Sequence, residues 1–69
     1  MSASNYVYID VEEIKAETEK AFLIRLEDGT ELWLPFSQMA DAEDYEKGDM
    51  GMEIGVTSWW AEKNGIEVD

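Results

Sequence analysis

Carboxylates are the side chains of this sequence that could do chemistry, and they are densest between residues 41 and 49. That stretch holds five acids: Asp41, Glu43, Asp44, Glu46 and Asp49. Carboxylate oxygens bind hard cations and transfer protons. They can also stand where the phosphates of a nucleic acid would lie on a basic protein. Glu12 and Glu13 add a second acidic group near the N-terminus.

Other residue types argue against catalysis and against a dedicated metal site. The chain has no His and no Cys, and it contains neither a phosphate-binding glycine loop nor a nucleophile elbow. The acids at 41, 43, 44 and 46 also lack the Asp-x-Asp-x-Asp-Gly spacing of a calcium loop. We therefore expect no catalytic residue, no cofactor and no dedicated metal site.

Net charge selects the class of partner. Seventeen acids stand against five basic residues, a formal charge of −12 on 69 residues. This field repels nucleic acids and anionic membranes at low salt and attracts cationic proteins. We expect a basic nucleic-acid-binding protein as partner, with no direct binding of nucleic acid or membrane. Three Trp, three Tyr and two Phe indicate a folded chain, since acidic disordered segments are poor in aromatics.

A second candidate surface is apolar. Strand alternation turns Leu23 and Trp33 outward, and Phe36 follows them closely. Exposed aromatics of this kind anchor protein partners, and here they suit a homodimer as well. They could also stack on single-stranded nucleic acid, but the basic groove that such binding needs is missing. We expect Trp59 or Trp60 instead to fill one end of a barrel.

Five short strands must position these side chains. Residues 6–11 alternate apolar and polar side chains, and we favour a continued strand up to a turn near Thr18 over a helical turn. Further strands are predicted over 21–26, 30–36, 50–56 and 66–69. Pro35 cannot donate to a ladder, so its strand lies at a sheet edge or ends there. Alternate glycines at 51 and 55 predict strong curvature or a close approach of another group.

The Asp28-Gly29 pair predicts a hairpin whose register is open between two loop lengths. A three-residue loop with Gly29 in the left-handed region pairs Ile24 with Leu32 and makes one face uniformly apolar. It also places Arg25 beside Glu31 as an ion pair, so we prefer it. Ser37 and Ser58 are predicted N-caps of a single turn and of a helix over 59–63, with Asn64-Gly65 ending that helix.

Together these elements predict a mainly β protein, a small five-stranded antiparallel barrel with one short helical turn before the last strand. The strand order favours an SH3-like barrel, with an OB-like barrel as the alternative. Residues 1–5 are expected to be a disordered N-terminus and residues 6–69 a single domain. We see no signal peptide or membrane span, so a cytoplasmic location is expected.

Three stretches carry a resemblance to known sequences: 17–24 (ETEKAFLI), 28–38 (DGTELWLPFSQ) and 60–65 (WAEKNG). This pattern is similar to small uncharacterised proteins of phages and mobile elements. The chain departs from it at Phe36, where the pattern has a lysine, and at Thr57-Ser58, where it has Pro-Glu. The resemblance implies a phage or mobile-element origin, hence the host cell cytoplasm, and no particular activity.

Charge and resemblance together predict a non-enzymatic inhibitor that mimics nucleic acid, of the anti-CRISPR or anti-restriction type. The loop acids would replace phosphates, while Trp33 and its neighbours supply apolar contact. The alternative is a structural or interaction barrel, a homo-oligomer or phage accessory module working through the exposed aromatic face. A single-stranded nucleic-acid binder is third, because the charge opposes it.

Overall fold

The computed structural model describes residues 5–66, which form one antiparallel sheet and one short helix. The strands are β1 (Tyr6–Glu17), β2 (Ala21–Leu26), β3 (Glu31–Pro35) and β4 (Met50–Thr57), and the helix is α1 (Ser58–Lys63). Two single 3₁₀ turns, Phe36–Gln38 and Ala42–Asp44, lie between β3 and β4. The strand order is β3-β2-β1-β4. The predicted mainly β class is confirmed.

The predicted five-stranded barrel, SH3-like or OB-like, is wrong for residues 5–66, where the sheet has four strands and does not close. The chain after β3 crosses to the opposite edge of the sheet, where Met39 bridges Val56 and the Ala40 N–H donates to the Gly55 carbonyl at 2.9 Å. That bridge is too short to continue the sheet round to β3. The predicted last strand begins at Ile66, which is not in a strand, and its other residues lie outside the described part.

The hairpin of β2 and β3 has the predicted three-residue loop. Gly29 has a φ of +91°, and its N–H donates to the Leu26 carbonyl at 2.9 Å. Ile24 pairs with Leu32, which confirms the register that keeps the inner face apolar. β3 ends at Pro35 and lies at the edge of the sheet. Both were expected, because proline has no N–H to donate to a neighbouring strand.

β1 runs through to Glu17, so the predicted continuation and the turn at Thr18 are confirmed. Its pairing with β2 shifts twice. Between Val11 and Ile14, two residues of β1 face Arg25 alone, and a second shift follows before Ala16. Each extra residue bends the strand and resets its alternation. The bulges therefore let Ile14 enter the core although its spacing from Val11 is odd.

The core lies on the inner face of the sheet, under the β3–β4 connection and α1. Its buried side chains come from all of these elements: Ile9, Val11, Ile14, Phe22, Ile24, Leu34, Met39, Ile54, Val56, Trp60 and Ala61. Trp60 is only 4% exposed, whereas Trp59 is 60% exposed and lies under the Lys63 ammonium at 5.4 Å. Of the two tryptophans, Trp60 is thus the one that fills the interior.

Both predicted serine caps are wrong. α1 is capped by Thr57, whose Oγ1 accepts from the Trp60 N–H at 3.2 Å, and Ser58 is the first helical residue. Ser37 lies inside its 3₁₀ turn, which follows Pro35 without a side-chain cap. The end of α1 is as predicted, because Gly65 has a φ of +72° and the Ile66 N–H returns to the Ala61 carbonyl at 2.9 Å.

Candidate functional site

The predicted acidic residues lie in three segments of the chain that have different neighbours. The structure separates them into three groups: Glu12 and Glu13 on β1, the acids of the Ala42–Asp44 turn with Asp41, and the Glu46–Asp49 turn. Only the second group joins further acids contributed by the sheet. Each group has a different set of neighbours, and these decide how much of its charge a partner would meet.

Glu12 and Glu13 share one cation. The bulge turns both toward Arg25, whose Nε lies 2.8 Å from Glu12 Oε1 and whose Nη2 lies 3.2 Å from Glu13 Oε1. The predicted Arg25–Glu31 ion pair is therefore wrong, although the two residues are cross-strand partners. Glu31 is instead 3.8 Å from the Lys15 ammonium.

Glu46 and Asp49 shape a turn. Asp49 Oδ2 accepts from the Glu46 N–H at 3.0 Å, and the Glu46 carbonyl accepts from the Asp49 N–H. Two further backbone bonds, from Gly48 to the Ile14 carbonyl and from Ile14 to the Asp49 carbonyl, fasten this turn to β1. Because Asp49 is half-buried and already bonded, its first role is to hold the chain's return into β4.

The second group meets the sheet at Tyr45. The Tyr45 hydroxyl donates to the Glu53 carbonyl on β4 at 3.0 Å. Burial raises the pKa of Tyr45, and the charges of Asp44 and Asp41 raise it further. Asp10 on β1 is the direct cross-strand partner of Glu53. We call Asp10, Asp41, Asp44 and Glu53 the acidic face. Glu43, in the same turn as Asp44, is exposed beside it.

Two features make the acidic face distinct. The ion pairs found within residues 5–66 involve only Lys15 and Arg25, and both lie with other acids. Tyr8, 64% exposed, stands on the same outer surface opposite Gly55 and acts on the titration of Tyr45. A partner would thus meet uncompensated carboxylates around an aromatic ring.

The alternation of residues 6–11 predicts that Tyr8 and Asp10 share the outer face of their strand, whereas nothing in the sequence singles out Tyr45 or Glu53. The pairing of β1 with β4 brings Asp10 to Glu53 across many residues of chain. One signal was present, because Gly55 marked a place where another group approaches closely. It did not indicate which group.

The predicted apolar surface is smaller than expected. Leu23 and Trp33 are cross-strand partners on the outer face, with Trp33 51% exposed and Leu23 half-buried. Phe36 does not join them. It is half-buried, with its ring centroid 4.8 Å from that of Phe22 in an edge-to-face contact, so it extends the core.

The described residues offer little for other chemistry. No group of three or more His, Cys, Asp or Glu in residues 5–66 is placed to hold a metal ion. A cleft of about 630 Å³ lies between the hairpin tip, β1 and the end of α1, with Asp28 on its rim. Hydrogen bonds from Thr30 lower the pKa of Asp28 below its ordinary value. No helix in the described range is long and apolar enough to cross a membrane.

Comparison of the chain with protein-family models, with curated proteins and with solved structures finds no match. The resemblance to phage and mobile-element proteins accordingly stays a prediction from the sequence pattern.

Proposed function

We propose that this chain is an acidic, non-enzymatic binding protein that takes the place of nucleic acid on a basic partner. The observation that carries the proposal is the acidic face: Asp10 and Glu53 are cross-strand partners, and Tyr45, which donates to the Glu53 carbonyl, has its pKa raised by the charges of Asp44 and Asp41. Such carboxylates form charge-assisted hydrogen bonds with Lys and Arg, as phosphates do. Tyr8 gives an arginine of the partner a ring on which to stack.

The charge density supports the same role. Residues 5–66 hold fifteen of the seventeen acids and all five basic residues, which leaves a net charge of −10. The molecule is 35 Å in its longest dimension, so one net charge falls on about 3.5 Å of length. A nucleic-acid strand has one charge per about 3.4 Å. Averaged over all sides of the body, the charge per unit length is therefore comparable to that of a single strand.

The biological setting we propose follows from the sequence resemblance. A phage or mobile element would use such a protein in the host cytoplasm as an inhibitor of a CRISPR effector or a restriction complex. Glu12, Glu13 and Asp49 then contribute to the long-range field, because their own contacts are already made within the fold. Long-range attraction raises association rates, and it weakens with salt.

The test begins with capture of host proteins on the immobilised chain at about 50 mM and about 500 mM salt, since screening separates charge-driven from apolar binding. A partner released at high salt is then purified with its DNA or RNA. Adding the chain should displace that nucleic acid in proportion to the complex formed. A partner that binds the chain and its nucleic acid together would contradict the proposal.

A matched pair of triple variants locates the contact. Asp41→Asn, Asp44→Asn and Glu53→Gln together remove three of the four charges of the acidic face, and Asn suits the left-handed φ of +58° at position 41. We expect displacement of nucleic acid to weaken by at least about tenfold, since each charge-assisted contact is worth more than about 1 kcal/mol.

The control removes the same charge elsewhere, at three exposed acids outside the acidic face: Glu19→Gln, Glu27→Gln and Glu62→Gln. Both variants have the same net charge, so the general field falls equally in each. Equal weakening in the two would show that only net charge matters, and the acidic face would lose its role.

The alternative function is a structural or interaction module, a homo-oligomer or a phage accessory protein, that works through an exposed aromatic surface. The observation in its favour is Trp33, which lies half in solvent beside Leu23. Such a contact would persist at high salt. Binding of single-stranded nucleic acid is the weakest candidate, because an aromatic platform needs a basic groove.

A further inference from the structure

We propose that two copies of this chain pair edge to edge through β3, with the two-fold axis at Trp33, in a dimer that salt strengthens. The proposal does not depend on the nucleic-acid mimicry. It names a second surface, on the opposite edge of the sheet from β4, and a second copy of the chain as its partner.

The hydrogen-bonding pattern decides which groups of β3 are available. The Leu26 N–H donates to the Thr30 carbonyl, and the Phe36 N–H donates to the Lys20 carbonyl. In an antiparallel ladder such bonded pairs alternate with non-bonded ones. Leu32 and Leu34 therefore bond to β2, while the N–H and C=O groups of Glu31 and Trp33 and the C=O of Pro35 point away from the sheet.

These outward groups have no backbone partner among residues 5–66. The other sheet edge differs, because β4 is partly covered by the Met39 bridge and by the bond from Ala40. β3 is therefore the edge that presents a row of unused donors and acceptors, and such an edge is a template for a further strand.

If a two-fold axis passes through Trp33, the outward N–H and C=O groups of β3 find hydrogen-bond partners on the second copy. Each Trp33 donates its N–H to the carbonyl of the second copy's Trp33 and accepts one bond in return. The Glu31 N–H of each copy donates to the Pro35 carbonyl of the other. Proline has no N–H to give back, so only the Glu31 carbonyl remains for water. No charged side chain faces a like charge across this pairing.

The charge around β3 favours a second copy of the chain over a cationic partner at this edge. β3 carries one acid, Glu31, and that carboxylate lies 3.8 Å from the Lys15 ammonium. On a body with seventeen acids, two copies that meet at this edge bring few like charges together. A cationic partner would gain more at the acidic face than here.

Side chains add to the backbone bonds. The pairing sets two Trp33 rings side by side on the outer face. Each ring lies next to Leu23 of its own chain, which is its cross-strand partner on β2. Aromatic cross-strand pairs stabilise antiparallel ladders, and exposed Trp is a frequent anchor of interfaces. Burying the exposed half of Trp33 gives the interface its apolar contact.

Salt dependence separates this dimer from the proposed function. Two bodies of the same high charge repel each other, and screening reduces that repulsion. Self-association should therefore tighten by at least about tenfold between about 50 mM and about 500 mM salt. Binding to a basic partner changes in the opposite direction. Failure of one proposal thus leaves the other standing.

The first experiment is sedimentation equilibrium of the full chain at both salt concentrations. We expect a monomer–dimer equilibrium that favours the dimer at high salt. Trp33→Lys should weaken it by at least about tenfold, because an anchor residue is lost at its centre. Trp59→Lys is the matched control, with the same substitution at a similarly exposed tryptophan on α1. It should change the dimer constant by less than about threefold, since it lies outside the interface.

Amide hydrogen exchange tests the backbone pairing directly. The Glu31 and Trp33 amides should gain protection as protein concentration and salt rise, whereas the Leu32 amide, bonded to β2, should be protected throughout. A monomer at high salt would overturn the proposal, as would a dimer that only Trp59→Lys dissociates. Fast exchange of Glu31 and Trp33 in the dimer, or their protection already in the monomer, would overturn it too.

Discussion

Tyr8 on β1 lies directly opposite Gly55 on β4, and its ring occupies the space that a side chain at position 55 would take. A Cβ added there would lie 3.1 Å from Tyr8 Cε1 and 3.2 Å from the Cβ of Ala40. The absent side chain thus lets the β3–β4 connection and the tyrosine both lie close to β4. Asp41 directly follows Ala40, so this contact holds the start of the acidic turn at β4.

Gly55→Ala should lower the free energy of unfolding by about 1 kcal/mol, a typical cost of adding a methyl group to a filled space. Tyr8 can rotate aside, but the Ala40 Cβ is fixed to the backbone, which donates to the Gly55 carbonyl. Denaturant unfolding measures the change. In a double-mutant cycle, Ala40→Gly should recover at least about 0.5 kcal/mol. Additivity of the two substitutions would show that the contact is not tight.

Thr57→Ala should destabilise the protein by about 1 to 2 kcal/mol, since it removes the N-cap of α1. The same hydroxyl donates to Gln38 Oε1, so the loss also loosens the β3–β4 connection. Thr57→Ser keeps the hydroxyl and should stay within about 0.5 kcal/mol of the parent. Ser58→Ala is the control at the neighbouring position, with little change expected. A larger effect at Ser58 would contradict the cap assignment.

Local signals of the sequence predicted the hairpin and the helix stop correctly, because each is decided by a few adjacent residues. Asp28-Gly29 and Asn64-Gly65 specify their own backbone conformations. The choice between Thr57 and Ser58 could not be made this way. Both hydroxyls can cap a helix, and the decision depends on where β4 ends and on the approach of Gln38.

The features that could not be predicted depend on pairing between strands that are distant in the sequence. The bulge that turns Glu12 and Glu13 to Arg25 exists because β1 must match two different neighbours, β2 and β4. Closure of the sheet depended on the path of residues 36–49, which carry no strong pattern. The acidic face likewise combines the loop acids that the sequence singled out with Glu53, which lies on a strand and was read only for its alternation.

Arg25→Met should lower the free energy of unfolding by about 1 kcal/mol, because two carboxylates lose their shared cation. The partners are partly exposed, so the value lies near the top of the range for surface ion pairs. Lys20→Met is the control, since Lys20 is exposed and forms no ion pair within the described residues. It measures the cost of losing any cation from this acidic chain.

The difference between the Arg25 and Lys20 variants should shrink when thermal unfolding is repeated at about 500 mM salt, because screening weakens exposed ion pairs. A difference that does not respond to salt would mean that the stem of Arg25 contributes by packing on the sheet. Equal effects of the two substitutions would show that the bulge does not depend on this contact.

Tyr45→Phe tests the link between the loop and β4. Loss of the bond to the Glu53 carbonyl should cost about 1 kcal/mol of unfolding free energy at neutral pH. Burial and the charges of Asp44 and Asp41 raise the pKa of Tyr45 in the folded protein. Its ultraviolet phenolate titration, taken as the difference between parent and variant, should therefore lie above the ordinary value of about 10.

The raised pKa of Tyr45 in the folded protein determines how its stability changes with pH. Above about pH 10 the unfolded chain loses the Tyr45 proton before the folded chain does, so unfolding becomes more favourable as pH rises. The advantage of the parent over Tyr45→Phe should then narrow between neutral and alkaline pH. Asp41→Asn with Asp44→Asn should lower the pKa of Tyr45 without returning it to the ordinary value, because burial is the larger cause. A pKa unchanged by that pair would mean that neither acid lies near Tyr45, and the acidic face would be divided.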